Sequence, residues 1–272
     1  MISYLKIIRP LNGVMSAIAV YIAALISGAI TLSALFAMPV LFAMLVVFLI
    51  SGFGMIVNDI YDIEIDKINK PNRPLPSGKI SMRNAKIYSI VLFLLGIVLA
   101  YLINIYAIGI ALLASLLLYI YATKLKKTLL IGNIIVSILV GLTFIYGGVI
   151  NMNVFPVLIL AILSFLSNMG REIYKTCEDI LGDKKAKANT IALKYGVIRA
   201  KSVGSLFIIL AVAMSIIPFI LGIFGVSYLI AVIVADLFFI ASIFSPVIKS
   251  AKFVKIAMLI SLIAFLLGAV VR

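Results

Sequence analysis

From residue 87 to residue 122 the chain carries no charge at all. As a single helix this stretch would be about 54 Å long, against a bilayer hydrocarbon core of about 30 Å. It must therefore fold as two short spans, and Asn104 marks the turn. The same logic divides the whole chain into about nine apolar helices, near 11–30, 36–57, 86–103, 105–122, 130–149, 154–172, 202–222, 226–246 and 253–271. Pro156 predicts a helix start and Pro218 a kink. With 65% hydrophobic residues and a mean hydropathy of +1.32 over 272 residues, neither a soluble domain nor a disordered chain fits. The expected fold class is all-α: a single transmembrane domain over 1–272. The first stretch, 11–36, is too long for a signal-peptide core and reads as a permanent span.

Charge placement orients this bundle. The N-terminus (Lys6, Arg9) and the connections 58–86, 123–129, 171–201 and 247–255 hold every basic residue except Arg272. The connections near 31–35, 104, 150–153 and 223–226 hold none. The positive-inside rule then predicts a multi-pass cell-membrane protein with a cytoplasmic N-terminus. It also accounts for the net charge of +14 without nucleic acid as a partner. A lone Cys177 excludes an internal disulfide and a cysteine metal site.

Acids are scarce: nine in all, and eight fall into two islands on the expected cytoplasmic side. The first holds Asp59, Asp62, Glu64 and Asp66; the second holds Glu172, Glu178, Asp179 and Asp183. On a helix leaving the bilayer, Asn58, Asp59, Asp62 and Asp66 share one face while Glu64 points elsewhere, to solvent. Asp179 and Asp183 are likewise one turn apart, with Glu172 and Lys175 on their stripe. At an offset of 117 residues, Asp62, Ile63, Asp66, Lys67, Lys70 and Asn72 recur as Asp179, Ile180, Asp183, Lys184, Lys187 and Asn189. Like charges stacked one turn apart repel, so a face that stacks them expects a cation.

Oxygen donors without His or Cys select a hard cation, and Mg²⁺ uses one or two carboxylates while leaving positions for water and phosphate. Two such clusters suit two or more Mg²⁺ ions and a diphosphate. The candidate ligands are Asn58, Asp62, Asp66, Asp179 and Asp183, the four aspartates being the catalytic set. Asp59 either joins them or orients its neighbours. Arg73, Lys124, Lys126, Arg171 and Lys175 are candidates for the oxygens the metal leaves free. A diphosphate above an apolar membrane cavity points to an isoprenyl diphosphate. Asp236 stands apart, near the middle of the span 226–246, where a carboxylate is costly. It takes either a structural hydrogen bond or a role in the cavity.

These residues resemble the UbiA intramembrane prenyltransferases. The family's N-D-x-x-D-x-x-x-D and R-P-x-P-S-G segments stand here as Asn58-Asp59-x-x-Asp62-x-x-x-Asp66 and Arg73-Pro74-Leu75-Pro76-Ser77-Gly78. Its D-x-x-x-D stands as Asp179-x-x-x-Asp183, and an R-P-x-N as Arg9-Pro10-Leu11-Asn12. A Y-x-x-x-L-K segment stands as Tyr121 to Lys126. The resemblance implies helices around a central cavity, Mg²⁺ dependence, an isoprenyl diphosphate donor and release of diphosphate. It brings Arg9 and Asn12 forward for substrate and favours Lys126 among the loop lysines. The run Arg171-Glu172-Ile173-x-Lys175-x-x-Glu178-Asp179-x-x-Gly182-Asp183 is most similar to archaeal members that alkylate the free hydroxyl of geranylgeranylglyceryl phosphate. Thr176 stands where many of those carry an acid. The expected partners are thus an isoprenyl diphosphate, a lipid-like glycerol phosphate acceptor and membrane lipids, with no obligatory protein partner.

Aromatic acceptors are the alternative within the family. An ion-coupled transporter is the alternative outside it, but its acids would lie at the membrane midplane. The D-G-x-x-A-R signature of the CDP-alcohol phosphotransferases is absent.

Overall fold

The computed structural model describes residues 2–28, 37–126, 128–185 and 188–271. Lys187 and Arg272, named above, and the connection 31–35 lie outside the described residues, as does Lys127 of the connection 123–129. Among the described residues the regular structure is helical, and nine helices are long and apolar enough to cross a membrane. The first spans are α2 (Pro10–Ser27), α3 (Met38–Tyr61), α5 (Met82–Tyr101) and α6 (Ile105–Ile120), the last extended by a π-helical turn, Tyr121–Leu125. After α7 (Ile131–Ile150) and α8 (Leu158–Glu178) come α11 (Val197–Met214), α13 (Val226–Phe244) and α14 (Val247–Val270). Short helices lie between them: α1 (Ile2–Ile7), α4 (Ile63–Asn69), α9 (Ile180–Lys185), α10 (Ile191–Tyr195) and α12 (Ile217–Ile220). As expected, α5 and α6 turn at Asn104, whose side chain caps α6 by accepting from the Ala107 N–H at 2.8 Å. Pro156 sits in the 3₁₀ turn that opens α8, and Pro218 in α12 beyond a break at Ser215.

The chain divides into two compact units, 1–126 with 145–154 and 127–144 with 155–272. In the first, α3 packs against α2, α5 and α6. Its core mixes β-branched and small residues, Val20, Ala43, Val46, Ile50, Ala100, Ala107 and Ala111, around Tyr146. Small residues set how closely the helices approach, since lipid gives apolar faces little reason to associate. A Cβ on Gly54 would lie 2.7 Å from Leu118, and one on Gly147 2.5 Å from both the Val20 carbonyl and Ala23. At the end remote from the acids, Asn151 donates to the Ala24 carbonyl (2.8 Å) and to Ser27 Oγ (3.0 Å). At the acidic end, Ile7, Ile8, Ile56, Leu75, Ile80, Ala85 and Leu92 form a second cluster that fixes α1 and the 70–81 turn.

In the second unit α8 packs on α11 and α14, and α13 on α14. Gly170 and Gly204 make the close crossing of α8 and α11, and Tyr174 beside it bonds Ser205 Oγ at 2.9 Å. Asp236 has a hydrogen-bond partner on one of its two oxygens. Ser215 Oγ donates to its Oδ2 at 2.7 Å, while Tyr228 Oη donates to the Ser215 carbonyl at 2.5 Å. The break before Pro218 thus leaves a carbonyl that a tyrosine satisfies.

Candidate active site

The sequence repeat is a structural repeat. Asp62 ends α3 and Asp179 ends α8 in nearly the same backbone conformation (φ −93°, ψ 1° and φ −90°, ψ 11°). Each is followed by a short helix rather than by solvent. The i→i−4 pattern runs through both junctions: Asp62 N–H to the Asn58 carbonyl (3.0 Å) and Asp66 N–H to Asp62 (2.8 Å), then Asp179 to Lys175 and Asp183 to Asp179 (2.9 Å each). Two acids one turn apart therefore bracket a helix junction twice, once in each compact unit.

In the first unit every carboxylate of the shared face meets a cation. Asp62, buried, accepts from Asn58 Nδ2 at 2.9 Å and is ion-paired with Lys126. Asp66, buried, is ion-paired with Arg73. Asp59, only 1% exposed, takes Arg9 and Arg73 (3.3 Å) on the same Oδ1. The face therefore splits into two networks, Asn58–Asp62–Lys126 and Arg9–Asp59–Arg73–Asp66. Glu64 is exposed, as its spacing predicts, and pairs locally with Lys67 at 2.8 Å.

Three segments deliver these cations, each for a local reason. Arg9 stands between α1 and α2 with φ 50°, a left-handed conformation that is uncommon without glycine. Pro10 opens α2, and Arg9 Nη1 reaches Met55 Sδ, one turn before Asp59, at 3.4 Å. Arg73 opens a tight turn in which Ser77 N–H bonds the Arg73 carbonyl (3.0 Å), with Gly78 at φ 72° and Leu75 buried beneath. Lys126 follows the π-helical turn, a form found mostly as single turns and often at functional sites.

The second unit differs. Asp179 is exposed and Asp183 half-buried. The buried acid is Glu172, which holds Arg171 at 2.8 Å and Lys175 at 3.0 Å. Asn12 and Lys124 join none of these contacts among the described residues; Lys124 is exposed. Met55 was not legible as a site residue, because only the fold brings it to Arg9.

The donor set tests the expected metal. Asn58, Asp62, Asp66, Asp179 and Asp183 offer oxygen alone, in pairs a helical turn apart, which suits Mg²⁺ and not a soft ion. Among the described residues no group of three or more acidic or cysteine side chains is placed to hold a metal ion by itself.

A profile of the UbiA prenyltransferase family matches residues 14–263. The chain belongs to that family. Among its UbiA relatives, the digeranylgeranylglyceryl phosphate synthase of Methanocaldococcus jannaschii is 44% identical, over 98% of this chain and 96% of its own. That of Methanosphaera stadtmanae is 39% identical over 98% of each. A solved structure of a digeranylgeranylglyceryl phosphate synthase superposes with a TM-score of 0.82 at 44% identity, covering 98% of both chains. A UbiA homologue from Archaeoglobus fulgidus, solved with DMAPP and Mg²⁺, shares the fold (TM-score 0.69, 18% identity, 99% of this chain and 100% of that one). The all-helical, nine-span UbiA architecture expected from the sequence is borne out.

Proposed function

We propose that this UbiA chain acts over its whole length as one Mg²⁺-dependent prenyltransferase, moving a geranylgeranyl group from geranylgeranyl diphosphate to the free hydroxyl of geranylgeranylglyceryl phosphate and releasing diphosphate. The observation that carries the proposal is the repeated pair of aspartates at two helix junctions, in a chain 44% identical to a digeranylgeranylglyceryl phosphate synthase. Asn58, Asp62, Asp66, Asp179 and Asp183 would hold the metal. Bound there, Mg²⁺ would neutralise the leaving diphosphate.

The chain's own cations do the rest. Arg73 and Lys126 lie next to Asp66 and Asp62 and supply donors to diphosphate oxygens. Arg9, Arg171 and Lys175, with Lys124 on the exposed rim, suit the acceptor's phosphate. The C–O bond of the donor breaks with its electron pair leaving on diphosphate. The acceptor hydroxyl, held within near-attack distance, bonds the allylic carbon and loses its proton to a diphosphate oxygen or an island carboxylate. The hydrocarbon tails lie in the membrane, and both islands face the cytoplasm.

The test is a product assay. Purified protein in detergent is given labelled geranylgeranyl diphosphate, Mg²⁺ and a panel of acceptors. The expected product is the doubly alkylated glycerol phosphate, abolished by EDTA and restored by Mg²⁺. Prenylation of 4-hydroxybenzoate or a naphthoate, with geranylgeranylglyceryl phosphate untouched, would move the chain to an aromatic-acceptor class.

A further inference from the structure

Each acidic island contains one buried carboxylate that is bound to two cations. In the first it is Asp59, with Arg9 and Arg73 on one oxygen. In the second it is Glu172, with Arg171 and Lys175. At the repeat offset of 117, Asp59 corresponds to Thr176, whose hydroxyl donates to its own helix at the Ile173 carbonyl (2.8 Å). The acid missing there is supplied one turn earlier by Glu172, so the arrangement survives a shift in sequence position. We propose that Asp59 and Glu172 are positioning residues rather than metal ligands, each holding a pair of cationic side chains in place for substrate phosphates. This rests on the proposed function and adds a division of labour within the islands.

Asp59 is 1% exposed and Glu172 8%, but Asp62 and Asp66 are as buried, so it is the pair of cations on each carboxylate that sets the two apart. A carboxylate already sharing one oxygen between two guanidinium groups is a poor ligand for a third cation, since metal binding would add repulsion from both arginines. Arg9 also holds a left-handed backbone conformation, which persists where the surroundings over-determine it; its bond to Asp59 is one such constraint. Arg73 extends the chain of contact to Asp66, so Asp59 fixes a donor-side cation relative to a candidate metal ligand.

The experiment separates positioning from ligation. Asp59→Asn and Glu172→Gln keep the shape and remove the charge. Manganese binding is followed by electron paramagnetic resonance with a non-ionising thiolo analogue of geranylgeranyl diphosphate. Michaelis constants for donor and acceptor are measured alongside. The expected result is a rise of about tenfold in at least one Michaelis constant, the scale of one lost charged hydrogen bond, with the number and affinity of bound Mn²⁺ unchanged. Asp59→Glu and Glu172→Asp should recover part of the loss. Loss of a bound Mn²⁺, or a tenfold weaker one, in either variant would overturn the proposal, as would Michaelis constants that stay at wild-type values. If Asp59→Asn does not fold, Arg73→Lys, which keeps the charge and loses the fork, must show the same Michaelis effect with intact Mn²⁺ binding. Wild-type turnover in the same assay reports separately on the proposed function.

Discussion

Replacing Lys126 by methionine should push metal binding and turnover in opposite directions. The Lys126 ammonium sits on Asp62, with Asn58 Oδ1 also within 3.4 Å. At an effective dielectric of about 20, unit charges about 4 Å apart attract by about 4 kcal/mol. The Lys126 side chain is 36% exposed, and solvent screening reduces its net contribution to stability to about 1 kcal/mol. Lys126→Met should therefore fold. Without the ammonium, Asp62 no longer has a resident cation competing for its oxygens, so Mn²⁺ should bind the protein alone roughly tenfold more tightly, a change of about 1.4 kcal/mol. Turnover should nevertheless fall roughly 10- to 100-fold, because a charged hydrogen bond to the diphosphate, worth about 1.5–3 kcal/mol, is gone. The assay is a Mn²⁺ titration in detergent, followed by initial rates. Unchanged or weaker Mn²⁺ binding in a folded Lys126→Met protein would refute the argument that this lysine and the metal share Asp62.

Gly147→Ala should lower the apparent Tm, since its Cβ would meet backbone of α2 at 2.5 Å and the helices must part, at about 1–3 kcal/mol. Gly109→Ala, with nothing within 4 Å, should be neutral or stabilising in the same thermal scan. In a Cys177→Ser background, single cysteines at the exposed positions 79, 126 and 194 should label only from the cytoplasmic side and one at 152 only from outside; labelling of 79 and 194 from opposite faces would exclude a shared diphosphate.

Much of this was legible in the sequence because a bilayer leaves the chain few choices. A helix is the form in which a span satisfies its own backbone, so charge-free lengths give the spans and Asn104 the turn between α5 and α6. The islands were legible because carboxylates are too costly to scatter through apolar helices, and Glu64 was separable from its neighbours by helical spacing alone. Helical spacing did not show which partner each acid takes. Asp59 and Asp62 lie on one face by sequence, yet one turns to Arg9 and Arg73 and the other to Lys126, because those cations arrive on segments 50 to 64 positions away in sequence or across a tight turn. The π-helical turn before Lys126 has no pattern of its own to read. Asp236 was visible as an anomaly; its partner was not, since Ser215 meets it only where α11 breaks.

The proposed function requires the two islands to act on one diphosphate, and a double-mutant cycle between them tests it most directly. Asp62→Ala and Asp183→Ala should each leave a folded protein with turnover lowered by roughly 10²-fold or more, the scale of about 3 kcal/mol of transition-state stabilisation. Residues that work as a unit are strongly non-additive, so the double variant should fall only a few-fold below either single one. Losses that multiply, to roughly 10⁴-fold in the double variant, would mean that the islands act independently and would contradict the shared site.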